Sequence, residues 1–270
     1  MAPIKNKSAK ISAPKVESIT MTLVIENLEK SFKGRPVVEG LNFHIAKGEL
    51  VGLVGPNGAW KSTTLAMICG LLKPDAGHVF LDGLSPPKEG TEFKKRIAFV
   101  PERPGLYPDI SALDFLKFSA ESHNKPEQLA FEMAEKVGCA HVLSDPMATL
   151  SRGQRQALYL AAAFVAEPEV LILDEPTVGL DPIQQKRINE ALKDYCKKGG
   201  AVLLSTHALY EAEHLCDRIL VLMNHKILAE GKAAEIAKNH TSLYDFLHDA
   251  HLQVATASVD DKADPVTSQK

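Results

Sequence analysis

The stretch Gly55-Pro56-Asn57-Gly58-Ala59-Trp60-Lys61-Ser62-Thr63 constrains this chain more than any other. The apolar run at 50–54 reads as a buried strand, and 64–69 reads as the start of a helix. Strand, Gly-rich loop, Lys-Ser, helix is the layout of a phosphate-binding loop. Successive backbone N–H groups of such a loop form a concave nest for phosphate oxygens. The helix N-terminus adds unpaired donors and a partial positive charge. On this reading Lys61 reaches the β- and γ-phosphates of a nucleotide, and the Ser62 hydroxyl binds Mg2+. The alternative reading is a plain tight turn.

One position breaks the pattern. Trp60 stands where the motif has Gly just before the Lys. Gly serves where the backbone needs φ > 0 or must approach a ligand closely. A bulky side chain there is expected to strain the loop by about 1–3 kcal/mol. A site binding ATP at about 0.1–1 mM, roughly 4–5.5 kcal/mol, would lose most of its occupancy to that.

Composition narrows the classes. At 270 residues the chain makes one large or two small domains, and 45% hydrophobic residues suffice for a core. A net charge of −3 gives no basic signal for nucleic acid, and no nucleic-acid partner is expected. Cys69, Cys139, Cys196 and Cys216 show no CxxC spacing and read as buried thiols in a reducing compartment. No stretch approaches the roughly 20 apolar residues of a membrane span. Residues 1–20 carry Lys5, Lys7, Lys10 and Lys15 without an apolar h-region, so they read as a disordered tail and not a secretory signal. Four lysines offer only a small attraction to anionic lipid. Residues 253–270 are polar and also read as disordered.

Strands are expected at 23–28 and 41–45, with a turn over 33–36 between them. Phe32, just before that turn, is either a core aromatic or a stacking platform for a base. Further strands are expected at 79–81 and 97–100, the latter leading to Pro101-Glu102 and a Pro- and Gly-rich loop. From 111 to 166 the pattern is helical: one helix over 112–122 capped by Ser111 or Asp109, and another over 127–137 ending at Gly138. Leu150-Ser151-Arg152-Gly153-Gln154 opens an Ala-rich helix, either as a plain Ser N-cap or as an anion site.

Val170-Leu171-Ile172-Leu173-Asp174-Glu175-Pro176-Thr177 is the second strong signal. A buried strand ends in two carboxylates, at the edge where open parallel sheets bind ligands. Asp174 can hold Mg2+ and Glu175 can polarise an attacking water; the bland alternative is a helix N-cap region. A helix over 183–197 and a strand over 201–205 place Thr206-His207 on the same edge, where His207 fits a γ-phosphate sensor. A helix over 209–217, strands at 219–223 and 227–230, and a helical region over 233–252 complete an α/β chain with a mixed sheet.

These motifs, in this order, resemble the ABC-type ATPases, over about 23–231. Gly55–Ser62 is similar to the Walker A loop, 150–154 to the signature loop, 173–176 to Walker B, 179–181 to the D-loop, and 205–207 to the switch-histidine segment. Glu102 falls at the Q-loop glutamine, and Glu102 followed by Leu106-Tyr107-Pro108 resembles exporter-like ATP-binding subunits. Phe32 falls at the adenine-stacking aromatic. The resemblance implies a P-loop NTPase core with a mixed, mostly parallel sheet, an antiparallel β subdomain and a helical subdomain at about 103–166. The ATPase domain would span 21–235, followed by a C-terminal helical region at 236–252. It implies ATP and Mg2+ as cofactors. Gly55, Asn57, Gly58, Ala59, Trp60, Lys61, Ser62 and Thr63 would wrap the phosphates, and Ser62, Asp174 and Glu102 would serve the metal. Glu175 and His207 would be catalytic. Ser151, Gly153, Gln154 and Asp181 would act across a head-to-tail dimer. Arg152, like Trp60, departs from a family glycine.

The leading expectation is the ATP-hydrolysing subunit of an ABC transporter, exporter-like, held at the inner face of a membrane by a separate transmembrane permease. A second is a nucleotide-impaired regulatory subunit that docks on the same partner. A soluble ABC ATPase of DNA repair or translation fits less well, because the chain shows neither a long coiled coil nor tandem ATPase halves.

Overall fold

The computed structural model describes residues 21–249 other than 106, 239 and 241. The expected tails at 1–20 and 253–270, and the last residues of the expected C-terminal helical region, lie outside the described residues. The chain opens with β1 (Met21–Phe32), β2 (Arg35–Ala46), β3 (Leu50–Val54), α1 (Lys61–Ile68), β4 (Ala76–Leu81), α2 (Gly90–Arg96) and β5 (Ile97–Val100). Then come α3 (Ala112–Ser122), α4 (Glu127–Val137) and α5 (Arg152–Val165). β6 (Val170–Asp174), α6 (Pro182–Lys197), β7 (Ala201–Thr206), α7 (Leu209–Leu215), β8 (Arg218–Met223), β9 (Lys226–Gly231) and α8 (Ala233–Ile236) follow, and 243–249 form α9.

Six strands form one sheet in the order β5-β6-β7-β3-β8-β9, parallel except for the antiparallel β9. Residues of β3, β6 and β7 are buried throughout, which is why each reads as a continuous apolar run. A second sheet, β2-β1-β4, is antiparallel. Its inward residues Leu23, Ile25, Val38 and Leu41 share a core with Leu65, Met67 and Ile68 of α1 and with Leu53 of β3. Helices α3, α4 and α5 pack around Leu116, Ala120, Ala130, Ala134 and Leu158, in a core continuous with Val100, Leu171 and Leu173 of the large sheet. The alanines allow close helix approach. This is the expected α/β class.

Several boundaries differ from the expectation. The first two strands run to 12 residues each, and the turn is confined to Lys33-Gly34. Arg35 and Pro36 pair with Phe32 and Ser31 instead. Pro36 is tolerated because β2 is an edge strand of its sheet. Helix α2 carried no clear signal: its N-cap makes no side-chain bond and only Phe93 is buried. The expected C-terminal helical run divides into α8 and α9. Ser111, not Asp109, caps α3, accepting from the Asp114 N–H at 3.0 Å. The cysteines are free, as expected, but Cys216 is only partly buried. Burial pushes the Cys139 and Cys196 thiols up to about 12.

Candidate functional site

Four adjacent parallel strands end on one edge of the large sheet. β5 leads to Glu102, β6 ends at Asp174 with Glu175 next, β7 ends at Thr206 with His207 next, and β3 leads into the Gly55 loop. The register pairs Val54 with Thr206, Asp174 with Ser205 and Val100 with Leu173, so these groups lie side by side. The C-terminal edge of an open α/β sheet is where ligands sit.

The Gly55 loop is shaped by close backbone approach. A Cβ on Gly55 would lie 2.3 Å from the Leu222 carbonyl oxygen, so no other residue fits there. Gly58 sits at φ 83. The α1 ladder begins with the Thr64 N–H on the Trp60 carbonyl, at 2.9 Å. The N–H groups of Lys61, Ser62 and Thr63 are therefore the unpaired first-turn donors of that helix. Asn57 and Ser62 are exposed, Ala59 is buried and Thr63 is half-buried.

Trp60 is the N-cap of α1 at φ 68 and ψ 27, in the left-handed region. The strain expected from its place in the sequence therefore has a geometric basis: an L side chain with a Cβ holds a conformation suited to Gly. Its indole packs against Phe32, with centroids 5.9 Å apart and planes tilted by 39°. Both rings are open to solvent, 41% for Phe32 and 38% for Trp60. Phe32 is thus a surface aromatic at the end of β1 and not a core residue. The Lys30 ammonium lies 5.7 Å from the centre of its ring.

Lys61 is 7% exposed. Its Nζ donates to the carbonyls of Gly55 at 2.7 Å and Pro56 at 3.3 Å, and lies 3.6 Å from Glu175 Oε1. Burial holds its ammonium below the usual lysine range, with Glu175 and Asp174 opposing that shift. Glu175 is itself buried and sits at φ 48, a second non-glycine residue in the left-handed region at this edge. Its N–H donates to the Ser205 carbonyl and Ser205 Oγ, each at 3.1 Å. Its Oε1 lies 2.9 Å from His207 Nδ1. Because a carboxylate can only accept, His207 Nδ1 is the donor, which leaves Nε2 free of that bond. Ser205 Oγ in turn donates to Asp174 Oδ1. Ser205, expected only as part of the 205–207 segment, thus links both carboxylate residues; its signal in the sequence is one hydroxyl at the end of an apolar strand.

Asp174 and Glu175 do not cap a helix. That role falls to Asp181, whose Oδ1 accepts from the N–H groups of Ile183 and Gln184, each at 3.0 Å, at the start of α6. Ser151 caps α5 in a full capping box. Its Oγ accepts from the Gln154 N–H at 3.2 Å, and Gln154 Oε1 accepts from the Ser151 N–H at 2.8 Å. Arg152, the first residue of α5, donates from Nη2 to Glu102 Oε1 at 3.1 Å. Glu102 thus pairs with Arg152 and Arg103, not with Ser62 or Asp174.

The two loops open on different cavities. Ser151, Arg152, Gly153, Gln154 and Asp181 line one of ≈ 540 Å³. Gly55, Pro56 and His207 line another of ≈ 230 Å³, whose far wall is α9 through Tyr244, Leu247 and His248. Structure therefore brings Lys61, Asp174, Glu175 and His207 together and leaves Ser151, Gly153, Gln154 and Asp181 apart from them.

A family model described as ABC transporter matches residues 38–178. The chain belongs to the ABC transporter ATP-binding proteins. It is 36% identical over 218 residues to the linearmycin resistance ATP-binding protein LnrL of Bacillus subtilis (strain 168), covering 79% of this chain and 70% of that protein. It is 39% identical over 215 residues to the Nod factor export ATP-binding protein I of Paraburkholderia xenovorans (strain LB400), covering 76% and 69%. Among solved structures, an ATP-binding subunit of an ABC transporter superposes with a TM-score of 0.78 at 30% identity, covering 84% of this chain and 98% of that one. The dimeric post-hydrolysis ATP-binding cassette MJ0796, bound to ADP and Pi, superposes at 0.72 with 26% identity, covering 78% and 98%. As an ABC ATP-binding protein the chain has the P-loop α/β core that its motifs resemble. No helix among its described residues is long and apolar enough to cross a membrane.

Proposed function

We propose that this ABC protein hydrolyses ATP to move a substrate across a membrane through a separate transmembrane subunit. The observation that carries this reading is the cluster of buried Lys61 and Glu175 with His207 at the open end of the parallel sheet. A buried ammonium and carboxylate without a ligand to act on are costly to keep.

The donor set fits a nucleotide with Mg2+. Gly58 leaves open space where a Cβ would stand, Gly55 lets the loop pass against the Leu222 carbonyl, and the first-turn N–H groups of α1 are unpaired donors. When bound, ATP supplies the transferable γ-phosphoryl group and Mg2+ spreads its charge. The Lys61 ammonium and the unpaired N–H groups of Lys61, Ser62 and Thr63 would hold the phosphates; the Ala59 N–H is already given to the Pro56 carbonyl. Ser62 and Asp174 would hold the metal, with Glu102 added once its pair with Arg152 opens. Phe32 would stack the base. Glu175 would accept the proton of an attacking water, and His207, oriented through Nδ1, would present Nε2 to the γ-phosphate.

Ser151, Gly153, Gln154 and Asp181 open on a separate cavity, which supports their use by a second ATPase copy in a head-to-tail dimer. The ATPase unit is taken as 21–235, with 103–166 as its helical subdomain and 236–252 as an appended region. Its place is the inner face of a membrane, through its partner. Glu175→Gln should keep ATP bound and move the protein to a dimer on gel filtration, because proton acceptance is lost while the binding groups stay. Hydrolysis at the parental rate would remove Glu175 from that role. The chain should pellet with membranes only when the transmembrane subunit is co-expressed; pelleting alone would assign membrane contact to another segment.

A second reading has its own observation. Trp60 holds φ 68 beside Phe32, so the loop carries strain at the phosphate cradle and a ring against the base platform. On that reading the chain is a nucleotide-impaired subunit of the same kind of complex.

A further inference from the structure

The His207–Glu175 pair joins the segments that follow the neighbouring strands β6 and β7. Glu175 is tied to β7 through the Ser205 carbonyl and hydroxyl. His207 has a side chain 47% exposed, so burial does not fix its ring. It leads into α7, which has only seven residues. A helix that short is not stable by its own ladder and takes its direction from tertiary contacts.

Ala212 and Leu215 anchor the apolar face of α7 in the core, and polar ties to the loop after β6 and to α6 meet at Glu211, one turn beyond His207. Glu211 Oε2 accepts from Thr177 Oγ1 at 2.6 Å, and Oε1 accepts from Asn189 Nδ2 at 3.1 Å. Thr177 lies two residues beyond Glu175 and is 2% exposed. Its carbonyl accepts from Gln185 Nε2 of α6 at 3.3 Å. Asn189, also on α6, keeps its Oδ1 buried with no partner, so its amide is held through Glu211 alone. On the other side of α7, Glu213 Oε1 accepts from the Leu243 N–H of α9 at 3.1 Å. Glu211 thus ties the loop after β6, the helix after His207 and α6 into one unit.

The geometry points to Glu211 as a positioning residue that, through Thr177 and Asn189, sets the distance between Glu175 and His207. This rests on the hydrolytic reading above for its consequence, but not for its structural part. A carboxylate accepting two hydrogen bonds across three elements over-determines their relative placement, and charge makes each bond stronger than a neutral one. Loss of Glu211 leaves Thr177 Oγ1 and Asn189 buried without their acceptor, and the two loops free to part. An amide at this position keeps both bonds: its oxygen accepts from Thr177, and its N–H donates to the Asn189 amide oxygen once Asn189 rotates.

The test has two arms. The first is hydrogen exchange on the nucleotide-free full chain. Glu211→Ala and Thr177→Val should speed exchange in 175–180 and 207–213 together, while Glu211→Gln should match the parent. Faster exchange in 207–213 alone, or none, overturns the coupling. This arm needs no ATP, so it stands even if the hydrolytic reading fails. The second arm measures MgATP affinity and turnover, in Trp60→Gly if the parent binds too weakly. Glu211→Ala should lower kcat by about tenfold with affinity within about twofold. Glu211→Gln should restore turnover, and Glu211→Ala with Thr177→Val should be no worse than either alone. Equal loss of affinity and kcat, or additive losses, makes Glu211 a structural residue only. If Glu211→Ala does not fold, Thr177→Val carries both arms with the same outcomes.

Discussion

The Trp60 loop and the Ser151 loop are built on one plan and depart from it differently. Each places Ser and Gly residues at the N-terminus of a helix, and each carries a bulky residue where the ABC pattern has Gly. Trp60 sits at φ 68. Arg152 is an ordinary first helical residue, absent from the positive-φ positions, and it finds a carboxylate in Glu102. The same kind of change is strained in one loop and accommodated in the other. What decides is the backbone conformation at the position, not the loop's resemblance to a motif. The second difference is cavity: the Lys61 loop opens beside His207, and the Ser151 loop does not.

That second difference predicts the largest contrast. Lys61→Ala removes the charge partner of the phosphates and should weaken MgATP binding to a single chain by at least about 100-fold, on the order of 3 kcal/mol. Ser151→Ala should leave single-chain binding unchanged and reduce turnover only, because on the proposed reading its loop would serve a partner copy. Equal effects on binding, measured by titration below the dimerisation range, would break the division between the loops.

The first difference predicts a smaller effect with opposite signs. At position 60, Gly should be more stable than Ala by about 1–2 kcal/mol, because only Gly removes the left-handed penalty. At position 152, Gly should be less stable than Ala by roughly 0.5–1 kcal/mol, as for Gly in a helix. In a chain of this size each kcal/mol moves Tm by about 2–4 °C. Thermal melts of Trp60→Gly, Trp60→Ala, Arg152→Gly and Arg152→Ala therefore form two pairs whose differences should have opposite sign. The same sign in both pairs would remove the strain at Trp60. Comparing Gly with Ala also cancels the lost Trp60–Phe32 contact.

Much of the fold was legible because the central strands β3, β6 and β7 are buried on both faces. Runs such as Val170–Asp174 and Leu50–Val54 have no other stable reading, and the groups at their C-terminal ends fall on one edge by topology. The Gly55 loop was legible because Gly55 meets a carbonyl that excludes every side chain. Other parts were not. Helix α2 lacks a cap and an apolar face, so nothing local distinguishes it from loop. Glu102 has a motif position that points to the metal, and only the structure shows it on Arg152. Glu211 reads as one more charge on a helix, since its partners Thr177 and Asn189 are 34 and 22 residues away in the chain.

The most direct test concerns Trp60 itself. Trp60 is the single tryptophan of the chain, so calorimetric titration with MgATP can be followed in parallel by its fluorescence in the parent. Strain of about 1–3 kcal/mol at a left-handed Trp60 predicts that Trp60→Gly binds MgATP about 5- to 150-fold more tightly than the parent. Adding Lys61→Ala to that variant should abolish the gain. Micromolar binding by the parent, unchanged in Trp60→Gly, would contradict the claim that backbone strain at Trp60 limits this site.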